Sequence, residues 1–227
     1  MAGATGGLGR ALATELHNRG ADLTLVSRSQ DRLAALPVGG QRLALDLRDP
    51  TNCQLAVRRA VEHHRRLDLV VNAVGVVAFG AMTDMTVDTI EELFLTNTIL
   101  PMILSREALP ELPRGGVIVN ISGAIAERNV AGMSAYGASK SALASFDEAF
   151  GREARRLGVR VIDARPPHSE TGLVERAIEG TAPRLGEGLE PATVATVICD
   201  AIAGDERDLQ SSAFEAARHP DANAEVA

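Results

Sequence analysis

Apolar positions recur along the chain at two periods that take turns. Short runs rich in Val, Leu and Ile predict strands at residues 21–27 (ADLTLVS), 41–46, 68–73 (DLVVNA), 116–122 (GVIVNIS) and 159–164 (VRVIDA). Between them, apolar residues spaced three and four apart predict helices at about 8–19, 51–65, 87–109, 134–157 and 191–203. The strand runs are apolar at consecutive positions, so both faces are covered. Strands and helices in alternation predict an α/β fold with a doubly wound parallel sheet of six or seven strands, in a single domain over residues 1–214. Residues 209–214 are read as a last strand. The polar, Ala-rich stretch 215–227 is read as a poorly ordered tail.

The start departs from this scheme. Residues 3–9 (GATGGLG) form a glycine-rich turn opening the first helix. Such a turn follows a strand in a βα unit, yet only Met1 and Ala2 precede it. The first strand is apparently missing. The expectation is that Met1 is not the natural start, or that the chain as written folds poorly.

Composition narrows the chemistry. The formal net charge is −7, which argues against a general nucleic-acid surface. No apolar run reaches the ~18 residues of a membrane span, and no secretion signal is visible, so a soluble cytoplasmic protein is expected. Cys53 and Cys199 lie in apolar helical patterns and read as small buried side chains. No metal site is expected. Of 23 Lys+Arg residues only Lys140 is lysine, and Tyr136 is the sole tyrosine. A lone lysine in an arginine-using chain is a candidate for chemistry that arginine cannot perform.

Gly3, Gly7 and Gly9, with Leu8 between the last two, are spaced for close backbone approach to a pyrophosphate. The helix behind them offers free N–H groups to that anion. A dinucleotide cofactor is implied. The strand that follows ends in Ser27–Arg28, where an acid would be expected for the ribose of NAD(H). A guanidinium there suits a 2′-phosphate, so NADP(H) is preferred and NAD(H) stays possible.

Residues 136–140 (YGASK) place Tyr136 and Lys140 four apart, on one helix face. A nearby ammonium would lower the phenol's ordinary pKa of ~10 and help it move a proton. This pair resembles the Y-x-x-x-K signature of the short-chain dehydrogenases/reductases, with a Rossmann-like fold. The resemblance runs from Ala2 to about Phe214. It implies that Lys140 also holds the nicotinamide ribose and that Asp46, followed by Leu47, touches adenine. It implies that Asn72 and Ala73 support the sheet and line the cofactor, and that Asn97 holds a proton-relay water. Pro166 and Thr171 match its P-G-x-x-x-T segment, whose threonine meets the nicotinamide carboxamide; Pro167 replaces the glycine. It also implies a small-molecule carbonyl or alcohol substrate, and a homodimer or homotetramer formed through helices 87–109 and 134–157. Residues 172–188 should close over the pocket, with His168 facing substrate.

One departure touches the chemistry. The resemblance puts a catalytic serine thirteen residues before the tyrosine, where this chain has Gly123. Strand alternation predicts that Ser122 points away from substrate, unless a bulge at Gly123 re-aims it. The rival reading is therefore a catalytically weak or inactive NADP(H)-binding or regulatory protein on the same fold.

Overall fold

A computed structural model describes residues 1–218. After the glycine turn comes α1 (Gly7–Asn18), then β1 (Thr24–Ser27), a short α2 (Gln30–Ala34) and β2 (Gln41–Ala44). Next are α3 (Pro50–His64), β3 (Leu69–Asn72), α4 (Val87–Phe94) and α5 (Leu100–Ala108). The chain continues through β4 (Val117–Ile121), α6 (Ser134–Arg156), β5 (Arg160–Ala164), α7 (Pro191–Ala203), β6 (Asp208–Leu209) and α8 (Ser211–Arg218). All strand pairs are parallel: β1 with β2 on one side, and β3-β4-β5-β6 on the other. Ala2 bridges the halves, pairing in parallel with Val26 and Asn72. The sheet thus reads β2-β1-Ala2-β3-β4-β5-β6, a doubly wound Rossmann-like order with one residue of its central strand.

Two apolar layers flank this sheet. One includes Leu12 and Leu16 of α1, Ile198 of α7 and Phe214, all against β1, β3, β4 and β5. The other packs Val57, Leu104 and Phe150 from α3, α5 and α6 against Val26, Val70, Ile118 and Val161. Alternate residues of one strand enter opposite layers, as doubly covered strands require. Cys53 and Cys199 are both buried thiols. Among the described residues no helix is long and apolar enough to cross a membrane.

Two end readings need correction. The last strand is only Asp208–Leu209, and a helix starts at Ser211. Phe214 is fully buried on that helix, so the apolar residue read as a strand end is a helix anchor. The helix runs on through residues 215–218, so the tail is ordered that far; residues 219–227 lie outside the described residues.

Candidate active site and cofactor cleft

The site lies at the carboxyl ends of the strands, where α/β sheets hold ligands. Gly3 has φ +75°, and a Cβ there would lie 2.5 Å from the Ala73 carbonyl oxygen. Gly9 would set a Cβ 2.0 Å from Gly3 O. Side chains are excluded at both positions by backbone on backbone. The first turn of α1 carries no acidic residue and its N-cap, Gly6, offers no capping side chain, so its N–H groups are left for an anion. A cleft of about 380 Å³ opens from this turn, between Ser27–Arg28, Asp46–Arg48 and Ala73–Val76. A glycine cradle, free helix N–H groups and cationic rim residues fit a dinucleotide.

The structure sorts the expected cofactor residues. Gly3, Ser27, Arg28, Asp46, Leu47 and Ala73 line the cleft. Leu8 packs against the core instead, and Gly7 lies under the backbone of Thr171, which a Cβ would strike at 2.2 Å. Asn72 is 1% exposed and donates to Asn120 Oδ1 at 2.6 Å, so its side chain ties β3 to β4 inside the sheet and does not line the cleft. Asp46 is clamped by Arg48 Nη2 at 2.6 Å, and Arg48 also reaches Glu92. That hydrogen-bonded guanidinium holds the Asp46 carboxyl below its usual range. Pro166 accepts from the Ala124 N–H, beside Gly123 rather than in the cleft.

Sequence reasoning missed Thr5, Arg32 and Arg48, which all line the cleft. Thr5 bonds Ser27 Oγ at 2.7 Å, and Arg32 donates to the Thr5 carbonyl at 2.7 Å, bracing the glycine turn from α2. Ser29 caps α2 by accepting from Arg32 N. The S-Q-D-R string was the available signal for this helix. The segment expected to close over the pocket does cross it: Leu173, Arg176 and Ile178 line the cleft. It is stitched down where Phe79 N–H donates to Glu179 O and Glu179 accepts from Thr86 at the start of α4. His168 precedes this strap, 3.5 Å from Glu170 Oε1, and is not among the residues lining the cofactor cleft.

Tyr136 and Lys140 sit on the first turns of α6. Tyr136 is half-buried, and burial pushes its phenol up to about 12. Lys140 Nζ donates to Ile121 O at 2.7 Å. Burial brings the lysine down to about 8, while the charges of Asp163 and Asp147 work against that fall. Asn97 is fully buried in a π-helical turn, Leu95–Ile99, that joins α4 to α5. The widened turn lets its carboxamide accept from Val76 N–H and donate to Val76 O, each at 2.9 Å, and to Ser139 Oγ at 3.0 Å. A Cβ on Gly75 would lie 3.4 Å from Asn97 Oδ1 and 3.6 Å from Lys140 Nζ. Asn97 and Lys140 therefore face one small space beside Gly75, with Tyr136 one turn before Lys140 on α6.

Ser122 is outside that space. It is fully buried, and its hydroxyl donates to Asp163 Oδ1, which Arg165 also holds. Strand alternation wins, and no bulge re-aims the side chain. Gly123 has φ +89° and ψ 160°, a region essentially reserved for glycine. A Cβ there has room, with nothing nearer than Pro166 O at 3.7 Å, but the backbone strain remains. Gly123→Ser is expected to lower stability by ~1–3 kcal/mol without raising turnover. Thermal melts and steady-state rates of the two proteins check this; a serine variant as stable as the parent would contradict it.

The family model described as short chain dehydrogenase matches residues 1–181. The chain belongs to the short-chain dehydrogenase family. A ketoacyl reductase, HetN, from a Nostoc species is 32% identical over 89% of this chain and 74% of its own length. Mouse dehydrogenase/reductase SDR family member 7B is 27% identical over 94% of this chain and 72% of its own. Among solved structures, a short-chain dehydrogenase from Streptomyces avermitilis superposes with a TM-score of 0.82 at 26% identity, covering 100% of this chain and 93% of that one. One from Sphingobium yanoikuyae in complex with NADPH gives 0.83 at 27%, covering 99% and 91%. This short-chain dehydrogenase is thus an NAD(P)-dependent oxidoreductase.

Proposed function

We propose that this dehydrogenase prefers NADP(H) and moves a hydride between it and the carbonyl or secondary-alcohol carbon of a small molecule. The placement of Lys140 and Asn97 around Gly75, with Tyr136 one turn before Lys140 on the same helix, carries this reading. When bound, the nicotinamide supplies or accepts the hydride. The Tyr136 hydroxyl gives its proton to the carbonyl oxygen in the reductive direction. A phenol pushed up to about 12 keeps that proton at neutral pH. The Lys140 ammonium holds the ribose side of the site and steadies negative charge left on the tyrosine oxygen. Asn97 fixes the Val76 backbone against α6, and Thr171 on the strap faces the carboxamide end. The complementary preference for NADPH rests on Arg28 and is supported by neighbours solved with NADP and NADPH. A homodimer or homotetramer is favoured by Ile99 and Met102, exposed by 43% and 36% along the α4–α5 arm. Gly123 and the inward turn of Ser122 favour the rival, a binder with little turnover.

Purified protein tested for NADPH oxidation against ketones, aldehydes and quinones decides between them. Turnover supports the enzyme; tight NADPH binding with no turnover across the panel supports the rival. The pH profile is a second expectation. Tyr136 stays protonated across the working range, whereas Lys140 loses its charge as pH rises through about 8. Carbonyl reduction should therefore be level below pH 8 and fall above it by roughly tenfold per unit. A flat kcat/KM from pH 6 to 10 would remove Lys140 from the mechanism.

A further inference from the structure

The buried side of α6 carries a second titratable group. Asp147 lies two turns after Lys140, so the two share one helix face. Asp147 is 4% exposed and Lys140 5%. Consecutive residues of β4 anchor them. Lys140 Nζ donates to Ile121 O at 2.7 Å, and Asn120 Nδ2 donates to Asp147 Oδ1 at 2.5 Å. The amide of Asn120 is fixed in this sense, because its Oδ1 already accepts from Asn72 Nδ2 at 2.6 Å.

Neither group has another partner of opposite charge to itself. The Lys140 bond is to a neutral carbonyl. Asp147 has one hydrogen bond, from Asn120, and its Oδ2 has no partner among the described residues. Asp163 of β5 is the other carboxyl whose charge reaches Lys140, but Arg165 Nε pairs with it at 2.7 Å and Ser122 donates to it. Arg165 also reaches Asp147, yet its guanidinium is divided among Asp163, Asp208 and Glu127. The charges of α4 and α5 turn elsewhere: Glu92 pairs with Arg48 and Arg106 with Glu107, while Asp88 and Glu91 are exposed. The π-helical turn contributes the neutral Asn97. A buried ammonium and a buried carboxyl in one core depend on each other for their charge.

We propose that Asp147 is the counter-charge of Lys140, a positioning residue that keeps the lysine an ammonium through the working pH range. It acts through Lys140, and so rests on the reading of that lysine as the charged group of the site. Burial drives both groups toward their neutral forms, and the charge of each opposes that drive in the other. With the carboxylate removed, burial acts on the lysine with less opposition, so the ammonium should be lost at lower pH.

Lys140 is the sole lysine, so protein labelled with ¹³Cε-lysine gives one side-chain signal. Its pH titration reads the ammonium directly, without cofactor, substrate or turnover. Asp147→Asn keeps an oxygen to accept from Asn120 and removes the charge. Its lysine midpoint should lie about one pH unit below the parent's, as for a charge roughly 10 Å away at an effective dielectric of about 20. Asp147→Glu keeps the charge and should stay near the parental midpoint. Turnover by Asp147→Asn should be roughly threefold slower than the parent's at pH 7.5 and close to it at pH 6, whereas a merely structural defect slows the enzyme at every pH. If Asp147→Asn does not fold, Asp147→Ser takes its place, being uncharged and able to accept from Asn120. An uncharged variant with the parental midpoint overturns the proposal, as does a glutamate variant shifted as far as the asparagine one. A parental midpoint below pH 7 overturns it without any variant, because the ammonium would then have no counter-charge. The expected shift in a protein without turnover would sink the catalytic reading alone and uphold the pair.

Discussion

Tyr136→Phe should reduce turnover by ~10²–10⁴-fold while NADPH binding changes little. The substitution removes one oxygen and keeps the ring, so the packing of Tyr136 beside Ala78 and Leu93 survives. The loss should be large because the usual serine position offers no hydroxyl. Ser122 is committed to Asp163, and Gly123 has no side chain. In an active site with a serine, a tyrosine-less variant retains that polarising hydroxyl; position 123 supplies none here. Pre-steady-state hydride transfer, measured with a saturating carbonyl substrate, isolates this step from product release. A phenylalanine variant as fast as the parent would falsify the assignment of the proton donor. A variant that also lost NADPH would show that the substitution had disturbed the cleft instead.

The fold was legible because doubly covered strands and amphipathic helices leave different periods. The runs around Val70, Ile118 and Ile162 could not be confused with helix faces, and each became a strand of the central sheet. Short elements were not legible. The helix Gln30–Ala34 is little more than one turn, too short for a period, and only its Ser29 cap marks it. Residues 209–214 failed for a related reason. Leu209 and Phe214 are both buried, but one closes a strand and the other lies inside the last helix, and two apolar positions five apart fit either.

The site was legible wherever its geometry is local. Tyr136 and Lys140 share a helix face because four residues make about one turn. Ser122 faces inward because strand side chains alternate. What depends on distant partners was hidden. No local pattern says that Asn97 would grip Val76 across the π-helical turn. The Asp46–Arg48 clamp needs the turn after β2 to double back, and Asn72 finds Asn120 only through the β3–β4 register. The dihedrals of Gly123 are likewise set by the exit of β4 against Pro166, not by its neighbours in sequence.

Cofactor choice should hinge on Arg28, and Arg28→Asp should reverse it. Four arginines line the cleft, and Arg176 comes from the strap that crosses it. Arg32 is spent on the Thr5 carbonyl, and Arg48 is held between Asp46 and Glu92. Among the described residues Arg28 makes no ion pair, and it is exposed at the end of β1. It is the guanidinium with donors left for a 2′-phosphate. Charge-assisted bonds of this kind are worth ~1.5–3 kcal/mol, so NADPH should bind the parent roughly tenfold or more tightly than NADH. The aspartate variant loses those bonds and places a like charge against the phosphate. Its NADPH affinity should fall by ~100-fold or more, while its carboxylate can accept from both ribose hydroxyls and strengthen NADH. Arg28→Gln separates the two effects, because it should lose the NADPH advantage without gaining NADH. The parent's preference should also shrink as salt rises, since the pair is solvent-exposed. Fluorescence titrations of both cofactors on all three proteins, at low and high salt, measure each step. Equal binding of NADPH and NADH by the parent would remove Arg28 as the selector.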